Sequence, residues 1–433
     1  MRLALLLALG LAAGPLAGQE AVRGEPIDLP TALRLAGAQS LDVQLAEARW
    51  REAQASADST AWALFPTISP GIGYRKHSGQ LQDIVGQVLD VNKESLSTGA
   101  TLGVSLELGE AVYRRLAAKQ VALAAGHQFE AQRRQTVLAA AAAYFDLCRS
   151  HQTVALLEDA VKTAREYHAQ LAKGVGAGVA FKGDELRAAG QTNRLELRLR
   201  QALDQRRGDA ARLAQTLRLD IAESLRPADD RPLALTLTKT DAKLDDQVRL
   251  AISRRPELQA AGAMQAAATE QSKAADYAPL YPTLGAQVFA GGLGGSTGSA
   301  TRDFDNSADT FVTLSWKIGA GGLFDGSRSD GAKARLKQSL LGEARTRDEI
   351  IRQVVEAQAS THYLAQQLKL AEEGVKTAEA GYKLALGRKE LAVGVVLETL
   401  QSQQDLIQAR LDYAVTVGEW NKAQYRLKFA VGE

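Results

Sequence analysis

Apolar and small residues recur at alternating steps of three and four along two long stretches of the chain. In the second stretch they form a seam from Ile350 to Ala385, and the first stretch repeats the pattern from Leu147 to Leu171. A sustained period of 3.5 residues predicts long helices packed side by side as coiled coils. Proline placement agrees with this prediction, because residues 71–226 and 283–433 contain none and proline breaks helix interiors.

Glycines interrupt both helical stretches and predict a turn in each. Gly174 and Gly178 lie in the first stretch, and Gly387 and Gly394 lie in the second. A helix, a glycine turn and a returning helix make an antiparallel hairpin. The rising helix of about 60 residues would be on the order of 90 Å long. The hairpin tips are expected near residues 174–183 and 387–396.

The chain repeats itself once. Phe65-Pro66-Thr67-Ile68 matches Tyr281-Pro282-Thr283-Leu284, and each motif follows an alanine-rich helix and opens an alternating segment. A helix, two strands and a long helical hairpin therefore occur twice, at residues 21–225 and 245–433, joined by a linker at 226–244. A tandem repeat of this length indicates pseudo-symmetry.

Four short segments alternate between apolar residues and small or polar ones, which predicts strands. They lie at about 66–77, 98–108, 282–292 and 308–318. Their length suits a tilted transmembrane strand, although a soluble sheet would give the same alternation. Polar loops are expected at 77–97 and 291–307. These loops and the expected export of the chain favour the membrane interpretation.

The N-terminus predicts a secretory signal peptide, residues 1–20. Arg2 is followed by an apolar stretch from Leu3 to Ala13 and then by small residues, which is the three-part pattern of such signals. Four strands cannot close a barrel, and open sheet edges are not tolerated in lipid. Several chains must therefore each contribute a sheet: two would give eight strands and a filled interior, and three would give twelve and a lumen.

Composition narrows the function classes. The net charge is +2, with 52 basic and 50 acidic residues. The chain therefore lacks the strong overall positive charge that would indicate binding to nucleic acid. Mean hydropathy is −0.17, and no later apolar run reaches the roughly 20 residues of a transmembrane helix. The only cysteine is Cys148, which excludes an intrachain disulfide. The five histidines are scattered, so we expect no metal, no cofactor and no catalytic site.

Several motifs resemble those of TolC-type outer-membrane efflux proteins, over residues 28–430. They are Phe65-Pro66-Thr67, Tyr281-Pro282-Thr283, Ala143-Tyr144-Phe145-Asp146-Leu147, Asp184-Glu185-Leu186-Arg187-Ala188, Leu397-Glu398-Thr399-Leu400-Gln401 and Arg254-Arg255-Pro256-Glu257-Leu258. The resemblance implies a mainly α protein with a membrane β part. It implies a homotrimer with a 12-stranded barrel in the outer membrane and a coiled-coil α-barrel in the periplasm. A periplasmic adaptor and an inner-membrane transporter would be its partners, and the channel would supply no energy.

The resemblance also implies candidate site residues. Acidic side chains after the second turn constrict the tip in this family, and the matching positions here are Glu398 and Gln401, with Asp184 as the first-repeat counterpart. Three copies of Glu398 around one axis would favour cations, but Gln401 replaces the second acid and weakens such a ring. The competing explanation for Asp184 and Glu398 is a carboxylate that stabilises a helix N-terminus.

The turn glycines Gly174, Gly178, Gly387 and Gly394 would face the adaptor, or serve turn geometry alone. The family's second turn usually places glycine six residues before the acid, where this chain has Ala392. Two other function classes compete with the channel. One is a periplasmic coiled-coil scaffold or adhesin with a soluble β cap, and the other is an exported enzyme. The cargo stays open between drugs, metal ions, other small molecules and proteins.

Overall fold

The computed structural model describes residues 26–219, 225–229, 233–238, 242–296, 302–390 and 396–433. The predicted signal peptide and Gly394 lie outside these ranges. In chain order the elements are β1 (Pro26–Ile27), α1 (Leu29–Gln39), α2 (Leu41–Trp62), β2 (Thr67–Gln82), β3 (Val88–Glu107), α3 (Leu108–Gly176), α4 (Lys182–Leu217), β4 (Arg226–Pro227), α5 (Leu244–Arg254), α6 (Pro256–Tyr277), β5 (Thr283–Ser296), β6 (Arg302–Ser315), α7 (Gly326–Glu390) and α8 (Val396–Ala430).

The element order confirms a mainly helical, internally duplicated fold with a β part. Each half has a pair of helices, two antiparallel strands, a very long helix and a shorter helix that follows it. The long helices α3 and α7 have 69 and 65 residues, and α4 and α8 have 36 and 35. Within the described ranges, no helix combines the length and apolar character needed to cross a bilayer.

The chain divides into two compact units. One contains Ala140–Ala234 and Lys369–Gly418 together with the chain up to Leu33. In its core, the predicted seam residues Val154 and Val161 on α3 are buried with Leu195 on α4, and Ile407 on α8 packs against the same cluster. This burial confirms the seam predicted for the first stretch, because the apolar side chains at these steps face neighbouring helices.

The second unit contains Arg34–Ala139, Leu235–Leu368 and Glu419–Glu433. Its core joins Ile350 and Val354 on α7 to Leu427 on α8. Arg255 lies beside this core and is only 3% exposed. Its guanidinium pairs with both carboxylate oxygens of Glu257 at 2.9 Å and donates to Gln353 at 2.9 Å. The ring of Phe429 stacks on the same guanidinium, 4.5 Å away, so a buried charge is fully compensated.

The segment 233–238 of the predicted linker is fixed by buried amide side chains on α8. The Asn421 Oδ1 atom accepts a hydrogen bond from the Leu235 backbone N–H at 2.8 Å. Gln424 Oε1 accepts from the backbone N–H groups of Leu237 and Thr238 at 3.0 Å. These side chains satisfy backbone donors that no neighbouring strand reaches.

A four-stranded antiparallel sheet has the order β2-β3-β5-β6. The outer strands β2 and β6 therefore each leave one edge without a strand partner in the described part of the chain. The two-residue strands β1 and β4 pair in parallel elsewhere. The sheet pairs the two halves of the chain directly, since β3 belongs to the first repeat and β5 to the second.

The strands are longer than predicted, and the predicted loop at 77–97 is wrong. β2 and β3 have 16 and 20 residues and remain paired up to Gln82 and Val88. Polar side chains stabilise this extension across the strands, because Lys76 Nζ pairs with Glu94 at 2.7 Å. The predicted loop at 291–307 is likewise wrong at both ends, where β5 and β6 continue the pairing. The fourth strand ends at Ser315 instead of residue 318.

Candidate functional site

The turn between α3 and α4 is built on two of the predicted glycines. The carbonyl of Gly174, in the last turn of α3, accepts hydrogen bonds from the backbone N–H groups of Val179 at 2.9 Å and Ala180 at 3.2 Å. Gly178 adopts a φ of +71°, a left-handed conformation that glycine takes without strain. Both glycines therefore have a geometric role in ending α3.

Asp184 lies in the first turn of α4. Its carboxylate pairs with Arg187, one turn further along the same helix, at 3.3 Å. An acid in this position is stabilised by the partial positive charge of the helix N-terminus. Burial raises the pKa of Tyr167 on α3, and the charge of Asp184 adds to that rise. The structure thus gives Asp184 a local partner, Arg187, and a position where its charge stabilises the helix N-terminus.

Glu398 occupies the corresponding position in the first turn of α8. Its carboxylate forms an ion pair with Arg388 Nη1 at 2.9 Å. Arg388 lies near the end of α7, and so does Gly387. Gly387 is helical, so its predicted place in the turn is wrong. The fourth glycine, Gly394, lies outside the described residues. Glu398 is therefore a neutralised carboxylate within one chain and not an isolated negative charge.

Gln401 is exposed one turn after Glu398, and its amide donates to Asp405 Oδ1 at 3.1 Å. Asp405 is thus a further acidic residue beside the predicted constriction position, and no motif in the sequence indicates it. Beneath this surface, Leu400 packs with Tyr167 of α3 and Ala188 of α4. The cluster fixes the beginnings of α4 and α8 against α3, so the orientation of the site depends on ordinary apolar packing.

A groove runs between α4 and α8. It is lined on one side by Arg187 and Arg194 and on the other by Gln401 and Gln404. Its continuation along the helices is lined by Arg198. Apolar periodicity does not reveal these arginines, although their spacing of seven and four residues places them on one helical face. The described residues contain no group of three or more His, Cys, Asp or Glu that could hold a metal ion.

One face of the sheet is mainly apolar and the other is mainly small or polar, as the alternation predicts, but Thr310 lies on the first face and Phe289 and Phe311 lie on the second. Residues opposite one another across the strands share a face. Two apolar rows are Ile68, Leu102 and Val288, and Val104, Ala286 and Val312. The row on the other face that includes Thr67 continues through Gly103 and Gln287 to Phe311. Ile68 and Val312 are 71% and 64% exposed, and an exposed apolar band is typical of a sheet that contacts lipid.

An exposed apolar sheet face combined with duplicated long helical hairpins is the architecture of an outer-membrane channel. The model of a family described as outer membrane efflux protein matches this chain twice, over residues 32–217 and 248–433. The chain belongs to that family. It is accordingly an outer-membrane efflux channel and not an enzyme. A comparison with curated proteins finds no match.

Solved structures share the fold over nearly the whole chain. A membrane protein from Pseudomonas aeruginosa has a TM-score of 0.81 at 20% identity and covers 93% of this chain and 92% of its own. The CmeC outer membrane channel of Campylobacter jejuni has a TM-score of 0.81 at 14% identity, with coverages of 93% and 85%. The open state of the Neisseria gonorrhoeae MtrE channel has a TM-score of 0.76 at 18% identity, with coverages of 93% and 88%. At these identities the likeness is one of fold.

Proposed function

We propose that three copies of the chain form a passive export duct. The observation that carries this proposal is the four-stranded sheet. It has an exposed apolar face, and its edge strands β2 and β6 each have one side without a strand partner among the described residues. Unpaired backbone groups in lipid cost several kcal/mol each. Pairing β6 of one copy with β2 of the next satisfies these groups. Repeating that contact closes a barrel in which every copy has the same neighbours.

Three copies suit an export function better than two. Two sheets give eight strands, and the interior of a barrel of that size is filled by its own side chains. Three sheets give twelve strands and leave a lumen. The small residues on the polar face, such as Gly71, Gly99 and Gly291, add little bulk to that lumen.

The helical tips provide the second part of the proposal. The turns at Gly174–Gly178 and at the end of α7 dock to a periplasmic adaptor, which connects the duct to an inner-membrane transporter. In this assembly the duct is passive, and the transporter supplies the energy for export. Drug efflux, metal efflux and type I protein secretion are the alternative roles. The genes beside this one discriminate among them, according to whether they encode a proton-driven pump or an ATP-driven exporter.

The test combines mass and conductance. Light scattering of the purified protein in detergent should give three times the mass of the mature chain, and unheated gels should show a heat-sensitive trimer. The same material should form long-lived conducting steps in planar bilayers. A monomer that stays soluble without detergent and never inserts would overturn the proposal and support a periplasmic scaffold.

A further inference from the structure

The groove between α4 and α8 presents guanidinium groups without carboxylates. Arg187, Arg194 and Arg198 all line it, and among the described residues no acidic side chain does so. Two other acids of α8, Asp405 and Asp412, accept hydrogen bonds from Gln401 and Gln408 on their own helix. The positive charge of this groove is therefore concentrated on α4.

These arginines keep most of their charge available. Arg194 is held by a neutral partner, since its Nε and Nη2 atoms donate to Gln191 Oε1 at 3.2 and 2.9 Å. Arg198 is exposed and has no ion pair within the described ranges. Only Arg187 has a carboxylate partner, Asp184. A guanidinium that is bound by an amide still has free donors in a planar fork that suits carboxylate, phosphate and sulfonate groups.

The same groove is also apolar in part. Leu186 and Leu397 line it and are 62% and 51% exposed. Leucine side chains beside guanidinium groups match a solute that has an apolar body and an anionic head. A simple inorganic anion would use only the arginines, whereas an amphiphilic anion would contact both kinds of side chain.

The second unit, considered by itself, also has a surface hollow whose lining carries more positive than negative side chains. A hollow of about 830 Å³ is lined by α2, α3, α6 and α7. Four arginines and two glutamates line it: Arg49, Arg114, Arg328, Arg335, Glu52 and Glu110. Glu110 is already paired with Arg328 at 2.8 Å. The whole chain has a net charge of only +2, so the positive lining is a local feature of these surfaces.

We propose that the duct selects amphiphilic organic anions, with Arg187, Arg194 and Arg198 as the selecting residues. This inference rests on the proposed function. Gln401 lines the groove and occupies a position that the family resemblance assigns to the constriction. A tip that turns Gln401 toward the lumen therefore also turns the groove toward it, together with Asp405, which accepts a hydrogen bond from Gln401. Rings of arginine favour anions in pores. Glu398 is paired with Arg388, and Arg187 with Asp184, so the remaining charges are those of Arg194 and Arg198 against Asp405. This balance favours anions instead of the cations that a ring of Glu398 would favour.

The first test measures reversal potentials in planar bilayers under a potassium chloride gradient. The wild-type channel should prefer chloride, and the double variant Arg194→Gln/Arg198→Gln should lower the chloride-to-potassium permeability ratio about threefold or more. Arg200→Gln is the matched control, because Arg200 is an exposed arginine of α4 that does not line the groove. That control should leave the ratio unchanged.

The second test adds an amphiphilic probe to the same bilayers. Octanesulfonate below its micelle concentration should reduce the wild-type current, and the matched cation octyltrimethylammonium should reduce it much less. The double variant should need a several-fold higher octanesulfonate concentration for the same block, while Arg200→Gln should behave as the wild type does.

The outcomes separate this inference from the proposed function. A trimer that conducts with cation preference and is indifferent to the double variant overturns the anion inference and leaves the duct intact. The same result with weakened binding to the adaptor would place the arginines on an outer docking surface, which also overturns it. Absence of any conducting trimer would overturn the duct itself.

Discussion

Arg388 and Glu398, ten residues apart in sequence, form an ion pair of 2.9 Å between the end of α7 and the first turn of α8. Both side chains are partly exposed, so the pair adds little to stability, about 0–1 kcal/mol for contacts of this kind. Its importance is electrostatic. The carboxylate that the family resemblance singles out as a constriction carries its own counterion.

This pairing predicts opposite effects for its two members. Glu398→Gln leaves Arg388 unbalanced and should raise the chloride-to-potassium permeability ratio. Arg388→Gln leaves Glu398 unbalanced and should lower the ratio, each by about twofold to fivefold at low salt. Arg410→Gln is the control. Arg410 makes a similar exposed ion pair with Glu379, 2.8 Å long, at a place away from this turn. A large rise in conductance with Glu398→Gln, without a change in selectivity, would show that Glu398 itself narrows the duct.

Arg255 should be far less replaceable than its neighbour. Arg255→Lys removes the two-pronged contact with Glu257 and the stacking on Phe429, and it leaves a buried charge poorly compensated. We expect a loss of about 1–3 kcal/mol in the free energy of unfolding, the usual cost of buried polar groups left without partners, because lysine keeps the charge but cannot make the paired contacts. Arg254→Lys is the matched control, since the Arg254 side chain is 51% exposed and pairs with Glu433. Equal thermal stability of the two variants would contradict the assigned role of Arg255.

A row of glycines crosses the sheet where its strands approach closely. A Cβ atom at Gly291 would lie 2.1 Å from the carbonyl oxygen of Thr98, whereas at Gly71 nothing lies within 4 Å. Gly291→Ala should therefore destabilise the protein by about 1–3 kcal/mol through overpacking, and Gly71→Ala should be tolerated. The temperature at which trimers dissociate on unheated gels measures the difference. If the trimers of the two variants dissociated at the same temperature, the close contact between Gly291 and Thr98 would not contribute to stability.

Because the Cys148 thiol is buried, we expect the protein to lose stability at alkaline pH. Burial raises the pKa of its thiol from the ordinary 9.0 to about 12. Because the folded state holds the proton more tightly than the unfolded state, the stabilisation is complete below pH 9. It is lost as pH rises toward 12, at about 1.4 kcal/mol per pH unit. Cys148→Ala should flatten the dependence of unfolding free energy on pH in this window. An unchanged slope would show that the thiol ionises equally in both states.

The helical part of the fold could be predicted because its signal is long and periodic. The seam through Val154 and Val161 repeats often enough to outweigh local exceptions. The strands were predicted too short, because their distal pairing depends on polar cross-strand contacts such as Lys76–Glu94. Such contacts leave no apolar alternation in the sequence.

The candidate site was only partly predictable. Glu398 and Asp184 could be located by resemblance to a known family. The pairing of Glu398 with Arg388 depends on how two helix ends meet, and no periodic pattern encodes that meeting. The arginines of α4 did leave a signal, since Arg187, Arg194 and Arg198 share one helical face. That signal lies in the spacing of charged residues and not in the spacing of apolar ones.

The two free edges of the sheet also have a consequence for inheritance. If every barrel needs three intact chains, a variant that inserts normally but has a damaged β6 edge inactivates each trimer that contains it. A cell that makes both forms would then retain far less than half of its normal export capacity. Such alleles should behave as dominant, whereas alleles that prevent secretion of the chain should be recessive.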